Sequence, residues 1–545
     1  MTKDPIYDVI VIGAGHNGLV CAAYLLKAGY RVLLLEKRAV IGGAATTEEL
    51  LPQTAPQFYF NRCAIDHEFI FLGPVIEELG LNNYGLDYLF CDPSVFCPYA
   101  NGDYFLAHRS LEKTCADIAR YSPQDAQQYR QFVLYWQSLL TAIQPLFNVP
   151  PQDLLAMVAN YNFQSLREFS KIVGSKNKAL DFIRTMISSP EDVLNEWFDC
   201  EQVKAPLARL CAEIGAPPSQ KGTASGMMMV AMRHQKGIAR PRGGTGALTQ
   251  ALVKLVRSLG GEILTEQLVK RVIVENGRAI AVETPSQLYR AARGIISNLD
   301  ARRLFLELVE PGALATTDKN LRRRLERRTV NNNETILKID CALAEAPQFT
   351  AVGGRAEFLS GTILIADSVR HVEEAHALTL LGQIADTNPS MYLDIPSLLD
   401  PSLAPPGKHT LWIEFFAPYQ IAGAEGTGLD GTGWTEELKE KVADRVIDKL
   451  TDYAPNLKNS IIDRHVESPA ELAQRLGSYG GNYYHLDMTL DQMMFLRPLP
   501  EIANYQTPVK NLYLTGAGTH PGGSISGMPG RNCARAFLKH QRRWF

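Results

Sequence analysis

The chain predicts an α/β fold in which a parallel-sheet domain, built from separated pieces of sequence, is interleaved with an α+β domain. Three observations carry this expectation. A strand–glycine turn–helix–strand unit occupies residues 7–36. A second glycine-rich strand-to-helix segment returns at 511–538. Between them the hydrophobic pattern alternates between helical and strand periods. At 545 residues, 46% apolar and 21% charged, the chain is long enough for two or three domains and is not disordered. Its 55 basic and 58 acidic side chains leave a net charge of -3, which argues against a nucleic-acid partner. Nine cysteines without a CxxC pair fit reduced thiols better than a disulfide framework or thiolate metal site. The polar start MTKDPIYDV gives no secretory signal, and no apolar window reaches membrane-spanning length, so the expected location is peripheral, on the cytoplasmic side of a membrane.

The first element, Tyr7 to Ile12 (YDVIVI), is the near-continuous β-branched run of a parallel strand buried on both faces. Gly13, Gly15 and Gly18 follow with GxGxxG spacing, Leu19 to Lys27 reads as a helix, and RVLLL leads to Glu36. The first glycine permits the tight turn, the second a close approach to pyrophosphate, and the third helix-on-strand packing. The helix start offers free N–H groups to an anion, and Glu36 stands where ribose hydroxyls would lie. This Rossmann-like unit alone leaves NAD, FAD and no ligand open.

Two more stretches bear on the choice. EKRAVIGGAATTE brings Gly42 and Gly43 just behind the second strand. NLYLTGAGTHPGGSISGMPGRNCARAFL repeats the strand–glycine–helix logic nearly 500 residues later. One site closed from both chain ends is the economical reading. GTGLDG (Gly426, Gly428, Gly431) also satisfies GxGxxG, but no strand abuts it and the next helix begins only after Trp434. It reads as a loop, leaving no second nucleotide fold and no NAD(P)H site.

The expected cofactor domain comprises residues 1–75, 235–300 and 500–545. It includes a helix from about Thr245 to Leu259, a hairpin turning at Glu275–Gly277 and the strand GIISN. Residues 76–234 read as largely helical with proline breaks. Residues 301–499 mix strands such as TILIA and TLWIEFF with a helix striped by Leu438, Val442, Val446, Ile447 and Leu450.

Taken together, the glycine turn, the acidic strand end, the glycine doublet and the C-terminal GxGTHPGG…GxPG resemble the FAD-binding signature of the phytoene-desaturase and amine-oxidase group. The resemblance implies FAD as cofactor. Glu36 would hold ribose, Arg38 with Gly42, Gly43, Ala44 and Ala45 would line the pyrophosphate path, and the Val269 backbone would meet adenine. Gly518, Thr519, Gly527 and Met528 would follow the ribityl chain and flavin. His16, Asn17, Lys37 and Gly516 complete the set. Ala517 departs from the pattern, since many flavoproteins carry an acidic residue there.

Over nearly its whole length the chain is similar to the desaturase-like β-carotene ketolases of photosynthetic bacteria. FNRCAIDHEFIFLGP, FCDPSVFCP, SPEDVLNEWFD, APPSQKGTASGMMMVAMRH, RRTVNNNE and YHLDMTLDQMMFLRPLPE carry that likeness. It implies conversion of the allylic C4 methylene of a β-ionone ring to a ketone, giving echinenone and then canthaxanthin, with quinone or O2 taking the electrons. A carotene desaturase, a carotenoid cis–trans isomerase and a non-catalytic prenyl escort of the GDP-dissociation-inhibitor type are the alternatives. Asp66, His67, His485 and His520 are the candidates for moving protons. The eleven histidines form no HxxxH or HxxHH box; His371 and His376, five apart, fall off one helical face, so no metal is expected. Met227, Met228, Met229 and Met232 suit a polyene, although plain core packing is the stronger reading for them. LLTAIQPLFNVPP and the tail LKHQRRWF are the candidate lipid contacts.

Overall fold

The computed structural model describes residues 6–151, 163–315, 320–328 and 334–542. Strand β1 (Ile6–Ile12), helix α1 (His16–Lys27) and strand β2 (Val32–Leu35) form the opening unit, with β1 and β2 parallel from Val9 opposite Val32 to Ile12 opposite Leu35. Both faces of β1 are covered. Val9 and Val11 pack on the side of α1, while Ile10 and Ile12 pack on the other side with Leu33 and Leu35. Double burial is why the run is continuously apolar rather than alternating.

The sheet runs in the order Arg271–Glu275, Arg278–Glu283, Leu288–Ser297, β1, β2, Glu262–Leu264, and Leu512–Leu514 pairs with Leu288–Ser297. All its strands therefore come from 6–35, 262–297 and 512–514. The hairpin turns on Asn276 and Gly277, at φ 51° and 71°, the paired positive values that tight hairpins with right-handed twist require. The helices Gly246–Ser258 and Met528–Arg542 join α1 over the Val9/Val11 face. GTGLDG closes on itself instead, the Gly426 N–H donating to the Gly431 carbonyl at 2.9 Å.

A second sheet has the order Ile461–Glu467, Glu334–Leu343, His409–Pro418, Met391–Asp394, Thr362–Ile365, Val95–Pro98, Tyr104–Ala107. Its last two strands come from the stretch expected to be helical. VFCP and YFLA are four residues each, too short for either period to declare itself. The rest of that stretch is helical, including Pro123–Phe147, Glu201–Ala212 and Met228–Gln235. Two prolines expected to break helices lie inside them, Pro145 near a helix end and Pro206 mid-helix. The missing Pro206 N–H would have served the Gln202 carbonyl, which instead accepts from the Tyr99 hydroxyl at 2.7 Å.

The expected lipid contact at LLTAIQPLFNVPP is corrected. Leu139, Leu140, Ala142 and Val149 are buried, because this helix end closes over the core rather than facing out. The expected contact at Arg543, Trp544 and Phe545 lies outside the described residues, as do Asn331–Asn333 of RRTVNNNE. Exposed apolar side chains gather instead on the helices Phe163–Val173 and Lys176–Ile187, where Phe163 is 83% exposed and Ile187 55%. Among the described residues no helix is long and apolar enough to cross a membrane.

The two chain ends meet backbone to backbone. A Cβ on Gly530 would lie 3.0 Å from the Cys21 amide nitrogen of α1 and closer still to the Asn17 carbonyl oxygen. Neither atom belongs to a side chain that could yield. Gly530→Ala is therefore expected to lower unfolding stability by about 1–3 kcal/mol, as overpacking does. Denaturant titration checks it, and an unchanged midpoint contradicts the packing described.

Candidate functional site

The glycine turn sits at the ends of β1 and β2. Gly13, at φ 90°, donates to the Leu35 carbonyl at 2.8 Å, and Asn298 Nδ2 donates to the Gly13 carbonyl at 3.3 Å. A Cβ on Gly18 would come within 3.0 Å of that Asn298 amide and nearer to the Gly13 oxygen, so the third glycine is a steric requirement. Gly42, at φ 137°, pairs with Gly15 across the turn, and a Cβ on it would lie 2.6 Å from the Ala45 carbonyl. The glycine doublet thus lies directly on the nucleotide-type loop. Gly15 caps α1 without a side-chain hydrogen bond, leaving the helix's first N–H groups to the cleft.

That cleft is lined by Gly13, Gly15, His16, Asn17, Glu36, Lys37, Arg38, Gly43, Ala44, Val269, Asn298, His485 and Ala517. Glu36 is held at the end of β2, accepting from Ala14 N at 2.9 Å and Arg38 N at 3.0 Å. Lys37 is drawn down to about 8 by burial and the neighbouring Arg303, and its Nζ donates to the Gln474 carbonyl at 2.8 Å. Arg38 pairs with Glu48 at 2.9 Å through one terminal nitrogen, and the other is buried without a partner. Gly18, Gly42 and Ala45 do not line the cleft. Gly516 turns at φ 99°, Thr519 Oγ1 donates to its carbonyl at 2.9 Å, and Gly527 turns at φ 69°. A Cβ on Gly518 would stand 3.4 Å from His485 Nδ1, so this glycine leaves the imidazole its room.

His16 Nε2, His485 Nδ1, Arg38 Nη1 and Arg475 Nη1 are all buried without partners on residues of this one cleft. Buried polar atoms are rarely left so, and several in a row match a long polar ligand. An acid at one end, basic groups, a bare helix start and glycine-lined backbone along the path form the donor set that a flavin dinucleotide fits.

Beyond His16, Ala44, Tyr483 and Ala517 the cleft opens into a second chamber with charged walls, formed by Asp66, Glu68, Glu213, Arg233, Tyr392, Glu414 and Tyr484. Arg233 Nε donates to Glu68 at 2.7 Å, and Arg240 Nε donates to Asp66 at 2.7 Å while its Nη2 reaches Asp394. Tyr392 donates to Asp66 at 2.6 Å. Burial pushes Asp66 up, yet Arg240 and Arg233 outweigh it and hold the carboxyl below its usual range. Phe69, Met229 and Ser524 are shared with a third cavity, whose walls include Leu72, Leu140, Phe147, Met228, Met232, Met488, Met493 and Met528. Cofactor cleft, polar chamber and methionine-rich cavity therefore follow one another in space.

The candidate proton carriers separate. Asp66 lines the chamber and His485 the cleft. His67 uses both ring nitrogens, on the Tyr88 hydroxyl at 2.8 Å and Thr245 Oγ1 at 2.6 Å. His520 Nε2 is held by the Leu146 carbonyl at 2.9 Å, and its ring lines none of these three cavities. Met528 faces the apolar cavity rather than the cleft. Glu68, Arg233, Arg240, Tyr392 and Glu414 escaped the sequence reading, though charge inside apolar runs such as LWIEFF and MMMVAMRH was a visible sign. Among the described residues no three His, Cys, Asp or Glu side chains cluster to hold a metal ion.

Residues 11–69 match the family described as NAD(P)-binding Rossmann-like domain. A curated relative, pyridine nucleotide-disulfide oxidoreductase domain-containing protein 2 of Rattus norvegicus, is 33% identical over 98% of this chain and 94% of its own length. The chain belongs to this family. It is thereby an oxidoreductase related to the phytoene desaturases. The lycopene-forming phytoene desaturase of Pseudescherichia vulneris is 26% identical over 97% of this chain and 98% of its own. In fold the chain matches a putrescine oxidase structure with bound putrescine, at TM-score 0.58 and 14% identity over 99% of this chain and 100% of that one.

Burial draws His16, His485 and His520 from 6.5 down to about 4, and His67 to about 3. In the unfolded chain these rings protonate as pH falls through 6.5, whereas in the fold they stay neutral until well below that value. The unfolded state then binds more protons, so stability falls with pH. Between pH 6.5 and about 5, above the carboxylate range, unfolding free energy should drop by on the order of 1 kcal/mol per pH unit per histidine. Denaturant melts at stepped pH check this, and a flat profile contradicts it.

Proposed function

We propose that the chain binds FAD in the glycine-lined cleft and oxidises a carotenoid, and that its reaction is the 4-ketolation of β-carotene to echinenone and onward to canthaxanthin. The observation that carries this reading is the succession of cleft, polar chamber and methionine-rich cavity. A substrate without a charged handle is bound through apolar area, and the unbranched thioethers of Met228, Met229, Met232, Met488 and Met493 adapt to a long polyene. A desaturation confined to the hydrocarbon would need no polar pocket beside the cofactor. Insertion of oxygen at a ring carbon does, and Arg233, Tyr392, Glu68 and Glu414 surround that space.

When bound, FAD supplies a two-electron acceptor of hydride. The remaining work falls to the chain. Glu36, His16 and the α1 N-terminus hold the cofactor. The apolar cavity orients the polyene so that one ring reaches the chamber, and the buried walls keep bulk water from it. Hydride loss at the allylic C4 leaves positive charge spread along the conjugated chain, which stabilises itself. Water held in the chamber then supplies oxygen. The exposed apolar faces of Phe163–Val173 and Lys176–Ile187 suit a peripheral lipid contact through which such a substrate would arrive.

The purified protein with β-carotene in liposomes and H2¹⁸O should yield echinenone carrying label, read by chromatography and mass spectrometry with correction for carbonyl exchange. A longer polyene or an altered isomer in its place overturns the ketolase assignment, and an unlabelled ketone overturns the water route.

A further inference from the structure

Strand His409–Pro418 alternates strictly. Leu411, Ile413 and Phe415 enter the core on one side of the second sheet, and Trp412, Glu414 and Phe416 face the helical layer and the chamber. A carboxyl in that apolar row is costly and needs a partner. Its neighbour on the chamber wall is Glu213, close enough to act on it. Glu213 follows the end of the helix Glu201–Ala212 and is ion-paired with Arg209, one turn earlier and fully buried beneath the Phe416 ring, 4.7 Å from its centroid. Burial and the Glu213 charge both raise the Glu414 carboxyl well above its usual range, against the pull of Arg209 and of Lys338 on the adjacent strand. Lys338 is itself tied to Asp340. Tyr483, Tyr484 and Cys63 also face Glu414, and burial raises all three, while Asp66, Glu68, Arg233 and Tyr392 share the chamber walls with it. The carboxyl groups of Glu213 and Glu414 and the Arg209 guanidinium form one cluster at the chamber wall. Arg209 Nε and Nη2 remain buried without partners beside it, so more hydrogen-bonding capacity is present than the chain itself consumes.

We propose that the Glu213–Glu414 pair is the proton acceptor of the chamber, taking the O–H proton of the water, and then of the alcohol, from which the new carbonyl forms. This rests on the reaction proposed above. In the first round a C4–H bond breaks, and hydrogen and electron pair pass to the two-electron flavin oxidant. A C–O bond forms from water, and one water proton goes to the carboxylate of the pair. After the flavin has been reoxidised by a quinone or O2, the carbinol C–H bond breaks in the same sense in a second round, the alcohol proton goes to the pair, and C=O forms. Each round leaves one proton for release to solvent. Both carboxyl groups line the chamber into which the oxygen is delivered, so the released proton has a short path to them.

The test compares the full-length FAD-loaded protein with Glu414→Gln, Glu213→Gln and Glu414→Asp. The wild-type infrared spectrum should contain a protonated-carboxyl band, shifted in ²H2O, that Glu414→Gln abolishes and Glu414→Asp retains. Both glutamine variants should keep flavin content and β-carotene binding while ketone formation falls by about 10²–10⁴. Glu414→Asp should recover part of it with a displaced acid limb in the pH profile. No carboxyl band lost on Glu414→Gln, or wild-type turnover with an unchanged pH profile, overturns the proposal. If the wild type itself forms no ketone, the reaction assignment fails instead, and the infrared comparison still decides whether the pair holds a proton.

Discussion

The contact between α1 and the helix Met528–Arg542 is made where the later helix cannot carry a side chain. At Gly530 an added carbon would enter the α1 backbone, and at Gly18 it would strike the Gly13 carbonyl and Asn298. Because Gly530 lets backbone lie on backbone, residues 516–530 stand beside the first turn of the chain although some 500 positions separate them in sequence. Through that approach Ala517 joins His16 where the cleft meets the chamber.

Around this contact the chain sorts its environments by polarity. The cleft keeps unpartnered nitrogens on four side chains and a bare helix start, an arrangement that is costly unless a ligand satisfies it. The chamber buries several charges but neutralises them locally, Arg233 with Glu68 and Arg240 with Asp66 and Asp394. Such pairs contribute little net stability, while removing one member strands the other at a cost of about 3–5 kcal/mol. They therefore fix the shape of the chamber more than they hold the fold together. The third cavity has almost no polar lining beyond serines and backbone, which suits an occupant held by shape and apolar area.

Much of this was legible before any coordinates, and for local reasons. The unit from Tyr7 to Glu36 declares itself because strand, turn and helix are adjacent and each glycine has its own steric demand. The stripe Leu438, Val442, Val446, Ile447 and Leu450 and the Asn276–Gly277 turn are likewise local signals, and both elements form. The hidden parts are those decided at a distance. VFCP and YFLA become strands only because Thr362–Ile365 offers them an edge. Pro206 stays helical because a tyrosine from elsewhere serves the orphaned carbonyl. His67 looked available beside Asp66, but Tyr88 and Thr245 occupy it. The chamber itself is assembled from side chains between residues 66 and 484, which only the fold brings together.

The account stands on a single ligand filling the cleft between the two chain ends, so flavin stoichiometry tests it most directly. Protein purified without added cofactor, or reconstituted with FAD, should show flavin absorbance equivalent to one cofactor per folded chain. Gly18→Val should reduce that stoichiometry far more than it reduces helical content. A native, monodisperse preparation that takes up no flavin under either condition would contradict the account at its base.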